Sequence, residues 1–126
     1  MFLPEFDRDY LNEKRFVFRE VTENQKGLII QDWNLPKGKF NHEKADLLIL
    51  LPPGYPDTPP DMFYFFPPIL LMPLNRPARA TESIQTFEGK NWQRWSRHFD
   101  ASQWRSGIDG IHTYLKRIEE AVKIAG

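Results

Sequence analysis

Apolar residues recur along the chain in blocks whose spacing changes from helical to alternating and back again. Residues 4–14 open on Pro4-Glu5, are acidic at the front, and carry Phe6, Tyr10 and Leu11 at separations that suit one face of a short helix with proline at an early position. Residues 15–22 alternate in part through Phe16 and Phe18. Residues 27–33 are rich in Leu and Ile after an Asn24-Gln25-Lys26-Gly27 turn, residues 45–51 form an unbroken apolar run typical of a buried strand, and residues 61–66 are dense in aromatics. Short links between these four blocks predict an antiparallel meander, because parallel neighbours need a crossover of about a dozen residues or more.

Periodicity fails from residue 67 to about 91. Pro67, Pro68, Pro73 and Pro77 break any helix, and the polar stretch 81–90 offers no apolar face, so an irregular loop of about 25 residues is expected, a length that marks either a functional loop, the favoured reading, or a misread element. Helical spacing returns with Ile108, Ile111, Leu115, Ile118 and Val122, predicted to face the sheet, while Asp109, Lys116, Glu119, Glu120 and Lys123 fall mostly elsewhere on the wheel. Ser106, with Asp109 three residues on, is the predicted capping pair for this helix. The outline is α+β: a short N-terminal helix, a four-stranded antiparallel meander, an irregular loop and a C-terminal helix, in a single domain over residues 1–126.

Composition narrows the chemistry. Seventeen basic side chains balance seventeen acidic ones, so the overall field favours neither nucleic acid nor an anionic membrane as a partner. The absence of cysteine excludes a disulfide framework, a thiolate metal site and thioester chemistry in the chain as it stands. His42, His98 and His112 are too dispersed to predict a metal site, and nothing calls for a cofactor. No apolar run approaches the roughly 20 residues of a membrane span, and the N-terminus has no basic and apolar leader pattern, so a cytoplasmic protein is expected.

One segment is far more specific than the rest. Tyr55-Pro56-Asp57-Thr58-Pro59-Pro60 stands directly before the aromatic block, and Trp92-x-x-Trp95-Ser96-Arg97-His98 leads to Trp104-x-x-Gly107-x-Asp109. This layout resembles ubiquitin-conjugating domains, in which a Tyr-Pro-x-x-Pro-Pro segment enters the fourth strand and a long irregular stretch carries the active cysteine ahead of a further helix. With Asp61-Met62-Phe63 included, the chain is most similar to a bacterial ubiquitin-conjugating-like group, prokaryotic family E, linked with ubiquitin-like modification operons. The resemblance implies a conjugating-type transferase. It also implies three partners: an adenylating ubiquitin-activating-like enzyme, a ubiquitin-like modifier protein, and a deconjugating protease of the same operon.

In many members of that family a tryptophan lies about eight residues after the cysteine, and counting back eight from Trp104 reaches Ser96. Ser96 is thereby placed at the acceptor position. The family's His-Pro-Asn tripeptide, whose Asn supports the oxyanion, is replaced by Thr86-Phe87-Glu88, which leaves Asn91 as the nearest substitute donor. A serine hydroxyl needs a neighbouring base and oxyanion donors to act as a nucleophile. His98 lies two positions on, on the same side of an extended segment, and Asp100 continues the series as an orienter of its imidazole. Arg94, Arg97 and Arg105 crowd the segment as fork-like partners for carboxylates or carbonyls, and Arg97 joins the candidate catalytic set.

Three readings of Ser96 follow: a transferase carrying a modifier C-terminus as an oxyester, a catalytically inactive scaffold that binds the modifier or the activating enzyme, or a serine substituted for a native cysteine. The plain structural readings stand beside them. Ser96 is then a surface hydroxyl, His98 a loop residue and Asp100 the start of a turn.

Overall fold

Pro4 sets the chain for α1 (Glu5–Glu13): its fixed φ suits a helix start, its carbonyl accepts from the N–H groups of Asp7 and Arg8, and Glu5 and Asp7 place negative charge at the positive end of the helix dipole. The helix stops where Arg15 turns left-handed at φ 63°, with Phe16 N–H bonded to Leu11 C=O and Arg15 N–H to Asn12 C=O. That pair of bonds is a Schellman closure with arginine in the place glycine usually takes. A computed structural model describes the whole chain, Met1–Gly126.

Strands β1 (Phe18–Thr22), β2 (Lys26–Asn34), β3 (Lys44–Leu51) and β4 (Phe63–Phe66) pair antiparallel in sequence order, as the alternation predicts. In β2 the register with β3 slips between Ile30 and Trp33, where Asp32 is left-handed at φ 51° and its N–H is held by the Asp46 carboxylate. The inserted residue is a β-bulge. It restores Trp33 to the same face as Ile30, so both join the main core despite their odd spacing.

The strand count departs from expectation. Residues 67–91 are not wholly irregular, because β5 (Ile84–Phe87) and β6 (Lys90–Trp95) form a hairpin whose two turn residues, Glu88 and Gly89, both have positive φ at 54° and 70°. That turn geometry matches the right-handed twist of the flanking strands. Strand β6 then pairs with β4, giving a six-stranded antiparallel sheet in the order β1-β2-β3-β4-β6-β5. The polar stretch 81–90 hid the hairpin because Phe87 is the one β5 side chain that enters a core, while Trp92 and Trp95 of β6 enter opposite clusters and the Trp92 indole N–H spends its one bond on the Phe87 carbonyl.

Each face of the sheet has its own apolar cluster. Leu28, Ile30, Leu47, Ile49, Phe63, Phe65 and Trp95 pack beneath the helices, whereas Ile29, Leu48 and Tyr64 are covered by Phe87 and Trp92. The unbroken 45–51 run is therefore buried on both sides for a definite reason: helices cover one face and the curled hairpin the other.

The C-terminal helix, α2 (Ile111–Ile124), buries Ile111, Leu115, Ile118 and Val122. Ile108 does not face the sheet; it precedes the helix and is 56% exposed. Nor do Ser106 and Asp109 cap it. Ser106 bonds the Asp57 carboxylate, and Asp109 accepts from the Arg105 N–H. Thr113 reaches back to the Gly110 N–H, and the Ile111 N–H donates to Asp7, 104 residues away in sequence. Gly110 is required by contact: a Cβ there would lie 2.6 Å from Asp7 Oδ1.

Two buried carboxylates tie the layers together. Asp7, 2% exposed, accepts from Ile111 N–H at 3.1 Å and from Tyr55 O–H at 2.5 Å. Glu20, whose side chain is 5% exposed, accepts from the Phe2 and Leu3 N–H groups and from Arg8. Burial alone would raise the Glu20 pKa, but the Arg8 and backbone donors overcome it and pull it down to about 2.

Replacing Asp7 by Ala should lower unfolding free energy by about 1–3 kcal/mol for each buried donor left unpaired, read as a fall in the urea midpoint; an unchanged midpoint would contradict its role. For Glu20 the folded pKa lies below its ordinary 4.5, so its contribution is present above pH 4.5 and disappears as pH falls towards about 2. Stability measured against pH should fall through that window in the parent and be flatter in Glu20→Gln.

Candidate functional site

Strand β6 carries the candidate residues to the edge of the sheet. Its ladder with β4 ends at Phe63↔Trp95, and continuing the register places Met62 opposite Ser96. The Ser96 N–H is spent on the Ala80 carbonyl at 3.1 Å, which fixes the backbone, while its Oγ lies 3.9 Å from Met62 Sδ, a weak acceptor. The nucleophile candidate is half-buried and has no strong hydrogen bond to break.

His98 crosses to the same segment. Its Nδ1 stands 3.2 Å from Asp61 Oδ1, with both side chains largely exposed at 69% and 66%. Asp61 follows Pro59-Pro60 directly, and the proline segment is anchored at three points: Tyr55 O–H on Asp7, the Trp104 indole N–H on the Pro56 carbonyl at 2.8 Å, and Ser106 on Asp57. The Tyr-Pro signature therefore sets the position of the carboxylate that holds His98. Burial, then the Asp7 carboxylate, push the Tyr55 phenol pKa upward, so it stays a donor.

Asp100 serves a different purpose. It caps the short 3-10 turn Ala101–Gln103, accepting from the Ser102 N–H at 3.0 Å and its hydroxyl at 2.6 Å, and those bonds, the hydroxyl first, lower its pKa. Arg97 packs its guanidinium over the Trp95 ring at 4.8 Å and donates to the Ser96 carbonyl at 3.1 Å. Burial and then the nearby Arg79 push its pKa down. Asn91 lies on the exposed side of the hairpin, where its Oδ1 accepts from the Thr86 hydroxyl at 3.1 Å. Five residues of strand separate it from Ser96, about 17 Å at the usual rise. The structure thus brings Ser96, Arg97, His98 and Asp61 together and leaves Asn91 and Asp100 engaged elsewhere.

Thr86-Phe87-Glu88, the segment standing where the family tripeptide is expected, closes the β5–β6 hairpin. Glu88 forms an ion pair with Arg19, and its N–H donates to Glu23. Arg94, two residues before Ser96 and on the same side of β6 by alternation, has a buried Nε with no partner. Beneath the site the Tyr114 hydroxyl is buried and unpaired, its pKa raised first by burial and then by Asp61, and its ring meets Phe99 edge-on at 5.6 Å.

A cleft of about 800 Å³ opens beside Ser96 and runs along α2, with Arg79, Arg97, His98 and Arg117 among its walls. Sequence reasoning assigned no role to Asp61. The available signal was its place immediately after the rigid proline pair, which fixes its backbone, but no local pattern tells that this carboxylate meets a side chain 37 residues later.

No helix is long and apolar enough to cross a membrane. The sequence profile of prokaryotic E2 family E matches residues 3–125, nearly the whole chain. No curated protein and no solved structure matches significantly. A helix, an antiparallel meander entered by the Tyr-Pro-x-x-Pro-Pro segment and a second helix behind the Ser96 strand agree with that profile, and the chain belongs to prokaryotic E2 family E.

Proposed function

We propose that the protein is a conjugating-type transferase of a bacterial ubiquitin-like pathway that carries a modifier by its C-terminal carboxyl as an oxyester on Ser96. Family membership suggests a role in ubiquitin-like conjugation and, in general, an activating enzyme and a modifier as partners. A deconjugating protease of the same operon completes the proposed set. The observation that carries the reading is the convergence of Ser96 and a carboxylate-held His98 on the Asp61-Met62 corner of a chain that contains no cysteine.

The chemistry balances as a transesterification. The step requires Ser96 Oγ to leave Met62 and meet His98 Nε2; Oγ then attacks the carbonyl carbon of the modifier thioester on the activating enzyme, and its proton passes to His98 Nε2. The carbon–sulfur bond breaks, and the thiolate leaves with that proton. Asp61 on Nδ1 fixes the ring orientation and stabilises the imidazolium, and Arg94 or Arg97 supplies a donor to the developing oxyanion. In the second half an acceptor amine attacks the ester carbonyl carbon, its proton passes to His98 Nε2, and His98 delivers that proton to Ser96 Oγ as the carbon–oxygen bond breaks, because an alkoxide leaves far less readily than a thiolate.

An alternative is a catalytically inactive scaffold that binds the modifier or the activating enzyme. It is favoured by the weak Ser96 Oγ contact and by a hairpin turn where the family tripeptide is expected. A serine standing in place of a native cysteine would keep the same site with a sulfur nucleophile, and the unaltered gene sequence decides that point.

Incubation with the cognate activating enzyme, ATP and modifier, followed by intact-mass analysis, should give one adduct that survives thiol reductant and is cleaved by hydroxylamine. Ser96→Ala should abolish it without loss of fold. An unchanged adduct in Ser96→Ala would move the attachment elsewhere, for example to Lys90, and no adduct with a demonstrably charged activating enzyme would leave the scaffold reading. Ser96→Cys should give a reductant-sensitive adduct.

His98→Ala should slow formation or discharge by roughly 100-fold or more, the usual contribution of a positioned acid or base. Asp61→Asn should lower the same rate less and leave thermal stability nearly unchanged, since the pair is exposed. Near-normal rates in both would remove the dyad from the mechanism.

A further inference from the structure

The cleft beside Ser96 concentrates positive charge that the protein neutralises only in part. Arg79, Arg97, Lys116 and Arg117 all line it, and none takes part in any of the five ion pairs of the fold. Arg117 lies against the Phe99 and Trp104 rings, and its Nη1 is buried without a hydrogen-bond partner. The acids on the same walls are Asp100, which already holds Ser102, and Glu120. In a chain of zero formal charge, four unpaired cations along one groove are a segregated field.

The smaller pocket near Ser96, of about 290 Å³, has no such excess of cations, its charged side chains being Asp61 and Arg94, one of each sign. Asp61 stands there with its carboxylate on His98, beside Met62 and Tyr64. The cationic excess therefore belongs to the large cleft, which disfavours a positively charged acceptor amine there. The large cleft is left to the chain that ends on Ser96.

We propose that the cleft along α2 receives an acidic tail: the carried modifier has glutamate or aspartate side chains within the last few residues before its carboxyl terminus, which pair with Arg79, Arg97, Lys116 and Arg117. This inference rests on the reading of Ser96 as the attachment point. Guanidinium forks bind carboxylates bidentately, and partial enclosure of Arg97 and Arg117 strengthens such pairs relative to open solvent.

The test uses the full chain and two short synthetic peptides with amidated C-termini, one rich in glutamate and one with glutamine at the same positions. Binding is followed by calorimetry and by shifts of α2 amide resonances. The glutamate peptide should bind roughly tenfold or more tighter than its glutamine counterpart at low salt and lose that advantage as salt is raised. Arg79→Gln combined with Lys116→Gln, both exposed positions, should weaken it by about the same factor, whereas Lys37→Gln, exposed and away from the cleft, should not. Equal affinity for the two peptides, or equal weakening by Lys37→Gln, overturns the proposal. Adduct assays separate the two levels: ester formation on Ser96 without peptide discrimination overturns the acidic-tail inference alone. Discrimination without any ester removes its premise that the tail ends on Ser96 and overturns it as a statement about a carried modifier.

Discussion

The Asp7 carboxylate is the interaction on which the arrangement depends. It sits in the first turn of α1, accepts the first N–H of α2, and accepts the Tyr55 hydroxyl at the entrance to the proline segment. A buried charge is tolerated only when its lone pairs are satisfied, so three pieces of chain remote in sequence must be present together before Asp7 is accommodated. The fit is close enough that residue 110 must be glycine, because a Cβ would overlap Asp7 Oδ1. The helix N-terminus is thus capped from another element, which fixes the direction in which α2 crosses the sheet.

Position passes from this point to the site through rigid connections. Tyr55 leads into Pro56, whose carbonyl holds Trp104, and into Asp57, which holds Ser106, so the segment before α2 and the segment before β4 are sewn to each other. Pro59 and Pro60 then deliver Asp61 and Met62 opposite Ser96 and His98. The long stretch between β4 and β5 is held comparably: Gln93 pairs its side-chain amide with both the N–H and the C=O of Ile69, serving as a substitute strand partner. These bonds tie the proline segment and the 67–83 stretch to the sheet and to the segment before α2, and such anchoring is what orientation of a reacting group requires.

What could be read from the chain follows the range of the interactions involved. α1, the meander and the buried face of α2 rest on local periodicity and were legible, as was the family, through its proline and tryptophan spacing. The β5–β6 hairpin was not, since its turn is Glu88-Gly89 in place of the usual Asn-Gly and β5 sends only Phe87 into a core. The capping pair Ser106 and Asp109 satisfied a local rule, yet Asp57 and Arg105 claim both residues, and the actual cap comes from Asp7. Asp100 followed His98 at the right interval for an extended strand, but the chain turns at the 3-10 segment and Asp61 takes the imidazole instead. The cap of α2 and the partner of His98 were missed because a sequence neighbour is replaced by a carboxylate brought in by tertiary structure.

The exposure of the His98–Asp61 pair bears on why it exists. Ion pairs this open to water contribute about 0–1 kcal/mol, whereas the Arg8–Glu20 and Asp7 contacts lie inside and hold layers together. Folding energy is therefore a poor reason for a histidine and a carboxylate to meet at the end of a proline-stiffened segment, two residues from the hydroxyl proposed as the attachment point. An oxyester demands more of its surroundings than a thioester, because serine must be deprotonated on entry and reprotonated on exit, while a thiolate needs neither service at neutral pH. A solvent-facing imidazole held by one carboxylate can perform both transfers, with Nδ1 fixed and Nε2 available. On the proposed reading, the change from sulfur to oxygen and the presence of this dyad are two parts of one chemical adjustment.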